Sequence, residues 1–155
     1  IFSISIGKRL GLTKLQLYDL GMAALMHDVG KSLLLNAFTS IAQKKKINFD
    51  VIQANMQQGH LSIGGALLRR WGFDDIFIKV VSEHEKDELP PNTEKEILVV
   101  HLTNMLTRNI GFSLFTDAVD LSELESAKLL EIESQKLDEI GAEIRLIVQD
   151  VAHLF

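Results

Sequence analysis

Apolar positions along this chain recur with the period of helices. Leu17, Leu20, Ala24 and, one position along, Leu25 share a face ahead of His27, in a helix that Thr13 can cap. Val51, Ile52, Met56, Ile63, Leu67 and Leu68 make the inward face of a longer helix from Phe49 towards Trp71, with Asn48 as its cap. Gly59, Gly64 and Gly65 lie inside that helix. A mid-helix glycine costs about 1 kcal/mol against alanine, which predicts a break there or the close approach of another helix. Gly72 ends the segment, and Asp74 or Asp75 opens the next, through Ile76, Val80 and Val81 to His84. Thr93-Glu94-Lys95-Glu96 has the spacing of a capping box ahead of Ile97 to Asn109, which Gly111 ends. Ser122-Glu123-Leu124-Glu125 repeats that signature before Ser126 to Leu130. A last amphipathic helix is predicted from about Gln135 to Leu154, with Leu137, Ile140, Ile144, Ile147, Val148 and Val151 inward.

Other stretches are less regular. Ile1 to Ile6 alternates as a strand would, but Gly7-Lys8-Arg9-Leu10-Gly11 continues it better as a helix ending at Gly11. Asp28 to Ser40 has no clean period, and a helical turn over Ser32 to Phe38 is expected. Ala42 to Ile47 reads as a polar connector, and Asp87 to Asn92, with Pro90-Pro91, as a loop. With no convincing strand pair and no internal repeat, the expected architecture is an all-α multi-helix bundle, one domain over residues 1–155. The chain opens at Ile1 as if inside a helix, so a fragment of a longer protein is expected.

Composition removes several chemistries. Cysteine is absent, so any metal site must draw on His, Asp, Glu or Asn, and a reducing cytoplasm fits. The net charge is -5, and the one basic run, Lys44-Lys45-Lys46, reads as a solvated loop. Nucleic-acid binding needs a broader basic stripe. No apolar run approaches the roughly 20 residues of a membrane span, and no signal peptide is visible.

Chemistry concentrates at His27-Asp28-Val29-Gly30-Lys31. For the bare His-Asp pair, a helix end where the imidazole caps carbonyls is sufficient. Together the two side chains can also bind one divalent ion from two directions, or bridge two ions through the carboxylate, and Lys31 can meet a phosphate oxygen as a point charge. The longer string Ala23-Ala24-Leu25-Met26-His27-Asp28-Val29-Gly30-Lys31 resembles the signature of the HD superfamily, in which the doublet binds metal. Gln58-Gly59-His60, with Gly64 after it, resembles that family's next metal histidine. Gly64-Gly65-Ala66-Leu67-Leu68-Arg69-Arg70-Trp71-Gly72-Phe73 resembles the helix and turn that follow in its HDOD branch. Glu83-His84-Glu85 is similar to the His-His-Glu step of the HD-GYP branch, with Glu at the first position. Val99-Val100-His101-Leu102-Thr103-Asn104 resembles the helix that brings the last metal aspartate.

The resemblance implies an HD-like helical bundle with His27, Asp28, His60, His84 and Asn104 at a metal site, and Asp28 and Lys31 in the catalytic places. It also shows departures. Asn104 stands where the aspartate belongs, and an amide is a weaker ligand for a hard cation. No His precedes His27, and the Gly-Tyr-Pro element of the HD-GYP branch is replaced by Glu85-Lys86-Asp87-Glu88-Leu89-Pro90-Pro91. These losses lean towards the HDOD branch.

The expectation is a non-catalytic regulatory module of a cytoplasmic, bacterial-type signalling protein. It would contact other domains of the same protein or signalling partners, and would hold no cofactor or one weak divalent transition metal (Fe, Mn, Zn or Ni). The rival is a metal-dependent phosphohydrolase acting on a nucleotide or related phosphate ester, with an activated water as nucleophile and Lys31 steadying the phosphate. A helical scaffold with no site is the third reading. His101 reads as a packed or partly exposed histidine, Trp71 as a core or hinge anchor, and His153 as a helix-end residue.

Overall fold

A computed structural model describes residues 1–46, 48–112, 119–121 and 123–152, with residues 151 and 152 by backbone alone. Among these residues there are eight helices and no strand: α1 (Phe2–Arg9), α2 (Lys14–Met26), α3 (Val29–Ala42), α4 (Phe49–Trp71), α5 (Asp75–Glu83), α6 (Lys95–Asn109), α7 (Glu125–Leu129) and α8 (Ser134–Ala152). The chain is all-α, as its periodicity predicts, and divides into two compact units. One comprises Ile1–Gly21 with Glu85–Phe155, the other Met22–His84.

In the first unit α6 packs against α1, α7 and α8. Its residues from Ile97 to Leu106 are buried on every face, which fits a helix apolar nearly all round. Ile6, Leu20, Leu137, Ile140 and Ile144 are buried as well. The Ser3 hydroxyl donates to the Thr103 hydroxyl at 3.2 Å, tying α1 to α6. Gly11, with φ 71°, closes α1 as its sequence suggests.

The second unit stacks α3 on α4 and α4 on α5. Leu68, Ile78 and Val81 form its core, with Met26, Val29, Phe73 and Phe77 packed around them. The α4 glycines mark close contact, with no break in the helix. A Cβ on Gly64 would fall 2.6 Å from Val81 Cγ1, and one on Gly65 would overlap the Ser82 hydroxyl. Gly72 adopts φ 75°, a left-handed turn that lets Phe73 N–H return to the Leu68 carbonyl at 3.1 Å.

Several local expectations need correction. The stretch from Asp28 to Ser40, where only a helical turn over Ser32 to Phe38 is expected, is helical almost throughout, with Asp28 as the cap of α3. Thr39 and Ser40 donate back to the carbonyls of Leu35 and Asn36, which satisfies their hydroxyls without breaking the helix. Leu25, Val51 and Trp71 are exposed, and Ala23 takes the buried place expected of Leu25. Trp71 is the last residue of α4 and meets Phe73 only loosely, with ring centroids 6.4 Å apart. The box at 93–96 does not form: Glu94 occupies the cap position, and the Thr93 hydroxyl donates to the Pro90 carbonyl. A reciprocal box forms at Thr13 and Gln16 instead. Asn48 caps α4 through Asp50 N–H at 3.0 Å. The expectations for Ile47, Ser122, the Val151 side chain, His153 and Leu154 lie outside the described residues.

Candidate metal centre

Four of the five expected metal residues belong to the second unit. His27 and Asp28 occupy the corner between α2 and α3, His60 sits mid-way along α4, and His84 caps the C-terminus of α5. The stacking of the three helices brings these residues together.

Each imidazole is anchored the same way. His27 Nδ1 lies 2.7 Å from the Ala24 carbonyl and His60 Nδ1 2.8 Å from that of Met56. His84 Nδ1 lies 3.2 Å from the carbonyls of both Val80 and Val81. A carbonyl only accepts, so Nδ1 carries the proton and donates. The other nitrogen, Nε2, is the one turned to the centre.

All three Nε2 atoms face one carboxylate. His84 Nε2 is 3.4 Å and His60 Nε2 4.0 Å from Asp28 Oδ1, while His27 Nε2 is 3.4 Å from Oδ2. The ring centroids of His27 and His84 are 4.9 Å apart, and those of His60 and His84 5.6 Å. The ligand atoms of Asp28, His60 and His84 lie within 4.8 Å of one another. A tetrahedral ion with bonds of about 2.1 Å separates its ligands by about 3.4 Å, so the set fits a small divalent ion. Two imidazoles and a carboxylate suit a transition metal.

His60 and His84 are fully buried and Lys31 is nearly so. Lys31, in the first turn of α3, places Nζ 2.8 Å from Asp28 Oδ1. Burial alone would raise the Asp28 carboxyl pKa, but the nearby His84, His27 and Lys31 side chains outweigh it and hold the group below its ordinary value. Burial pushes the His27 imidazole below its ordinary value, against the partial pull of Asp28. That ring is neutral at neutral pH, the form that binds metal.

Asn104 belongs to the other unit, where its Nδ2 donates to Glu85 Oε1 at 3.1 Å. His101, also there, is buried, its Nδ1 2.8 Å from the Ser126 hydroxyl. Two relations escaped the sequence. Nothing near Ser126 announces it as the partner of His101. Gly30, a motif glycine, sits directly against the backbone of α4 at His60, closer than any Cβ would permit.

A family model described as the HDOD domain matches residues 1–87, a stretch that holds His27, Asp28, Lys31, His60 and His84 and ends before Asn104. No curated protein and no solved structure matches the chain significantly.

Proposed function

Since the chain belongs to the HDOD family, we propose that it is a regulatory signal-transduction module without catalytic activity, whose metal centre holds at most one divalent ion, and that weakly. The observation that carries this reading is the charge of the centre. Three imidazoles converge on one carboxylate, Asp28, and that carboxylate is already paired with Lys31. The Asp28 charge is thus balanced by Lys31 before any ion enters. Two divalent ions would bring four positive charges with nothing in the set to offset them. On this reading the module contacts other domains of its own protein or partner signalling proteins, in a bacterial cytoplasm. No helix among the described residues is long and apolar enough to cross a membrane.

The second reading is a metal-dependent phosphohydrolase acting on a nucleotide or related phosphate ester, favoured by the same convergence of ligands. Asp28, His60 and His84 would hold the ion, which supplies Lewis acidity and an activated water when bound. His27 would orient Asp28, and Lys31 would leave it for a phosphate oxygen.

Metal content by mass spectrometry after dialysis, paired with a bis(p-nitrophenyl) phosphate assay in Mn²⁺, separates the two. At most one ion per chain and no metal-dependent turnover are expected. Two ions, or Mn²⁺-dependent turnover that Asp28→Asn abolishes, would establish the hydrolase instead.

Asn104 bears on the same question. An aspartate there would place a second carboxylate about 3 Å from Glu85, in place of the present hydrogen bond. Asn104→Asp is expected to destabilise the protein by about 1–3 kcal/mol at pH 7. The loss should shrink as pH falls and one carboxyl of the pair takes up a proton. Urea unfolding at pH 7 and pH 5 checks it. Stability equal to wild type at pH 7 would mean that the two groups are not coupled.

A further inference from the structure

We infer that Lys31 is the resident cation of this centre: its ammonium holds the Asp28 oxygen that a metal ion would take, so that an ion binds only by displacing it. The inference rests on the metal reading proposed above. Three atoms approach Asp28 Oδ1: Lys31 Nζ at 2.8 Å, His84 Nε2 at 3.4 Å and His60 Nε2 at 4.0 Å. The ammonium is the nearest of them and carries the full positive charge. Lys31 is only 8% exposed and the Asp28 Oδ1 atom is itself buried, although the rest of the Asp28 side chain reaches solvent, so the contact is partly shielded from the water and salt that weaken surface ion pairs.

The backbone holds the lysine in place. Gly30 is pressed against the His60 carbonyl, which fixes the start of α3 against α4. From that start Lys31 reaches Asp28 across a single helical turn.

An incoming divalent ion must take the same oxygen while the ammonium is beside it, and two cations on one carboxylate oxygen repel strongly in a shielded site. The four-carbon stem of lysine lets the head group swing away when the ion enters. The centre therefore has two states, a lysine-bound state and a metal-bound state. The strength of the Lys31–Asp28 pair sets the metal concentration at which one gives way to the other. The ligand class is a divalent transition metal ion.

The test is calorimetric titration of the full chain with MnCl₂ and with NiCl₂, comparing wild type with Lys31→Met, which keeps side-chain length and removes the charge. Lys31→Met is expected to bind at least about tenfold more tightly. Equal or weaker binding by a folded Lys31→Met overturns the inference and leaves the metal reading standing. Absence of binding in both proteins overturns the metal reading and the inference with it.

A second measurement needs no variant. Acetylation of Lys31 by acetic anhydride, followed by peptide mass spectrometry, should speed up when wild type is saturated with Mn²⁺, because the ion releases the amine. Unchanged or slower labelling counts against displacement.

Discussion

Gly30→Ala is expected to cost the second unit more than about 3 kcal/mol and to leave little folded protein at 37 °C. A Cβ at Gly30 would overlap the carbonyl oxygen of His60 and lie 2.8 Å from its carbonyl carbon and 3.0 Å from Gly64 N. All three are backbone atoms of α4, so no side chain can rotate out of the way. Relief requires α3 and α4 to separate, and that separation would dismantle the corner carrying Asp28 and Lys31. Helix propensity alone points the other way, favouring alanine by about 1 kcal/mol, so the sign of the effect decides between propensity and packing. Gly59→Ala is the internal control. Its Cβ would meet only the Ile63 and Leu34 methyls at 3.6 Å, an ordinary contact, and it should be neutral or stabilising by up to about 1 kcal/mol. Urea unfolding followed by circular dichroism compares the two. A Gly30→Ala protein within 1 kcal/mol of wild type, a margin set by the propensity term alone, would show that the α3–α4 approach is looser than described.

Asp28→Ala should lower affinity for Mn²⁺ or Ni²⁺ by more than about 100-fold, since even outer-shell substitutions cost 10–100-fold. It removes the one carboxylate on which three imidazoles and an ammonium converge. It should also destabilise the protein. The Asp28 carboxyl is held below its ordinary value, so its pairing contributes stability above the ordinary carboxylate pKa and loses it as pH falls through the lowered one. Asp28 is 36% exposed, which brings the expected cost at pH 7 below the 3–5 kcal/mol of a fully buried pair, to about 1–3 kcal/mol. The difference from wild type should vanish in strong acid. Calorimetry and urea unfolding across pH measure both effects. An Asp28→Ala protein that still bound metal as wild type does would move the centre elsewhere.

The sequence made the helices legible wherever an apolar stripe and a cap coincided, as at Asn48 for α4 and Gly72 after it. It obscured α3, because Leu33 and Leu35 are both exposed, and apolar residues on the outer face erase the period that marks a buried one. The box signature at 93–96 misled, because Thr93 spends its hydroxyl on the turn at Pro90. Trp71 misled because side-chain size says nothing about which side of a helix end a residue occupies. The candidate centre was legible in its parts, since His27, Asp28, His60 and His84 each sit in a motif. Its internal order was not. That Gly30 must touch the backbone at His60 is a relation between segments 30 residues apart, which spacing along one chain does not encode, and the three-residue spacing of Asp28 and Lys31 permits their pairing without fixing it.

The carbonyls that hold the three histidine rings have a thermodynamic consequence. His27, His60 and His84 each donate Nδ1–H to the turn of helix that precedes them, so folding alone sets the ring orientations, and an ion finds its ligands already arranged. In small zinc-dependent domains the ion itself drives folding, and a chelator unfolds them. Here the order of the rings belongs to the helices, so an ion, if one binds, is not what holds the scaffold together. Binding and release of a metal would thereby be uncoupled from the survival of the fold.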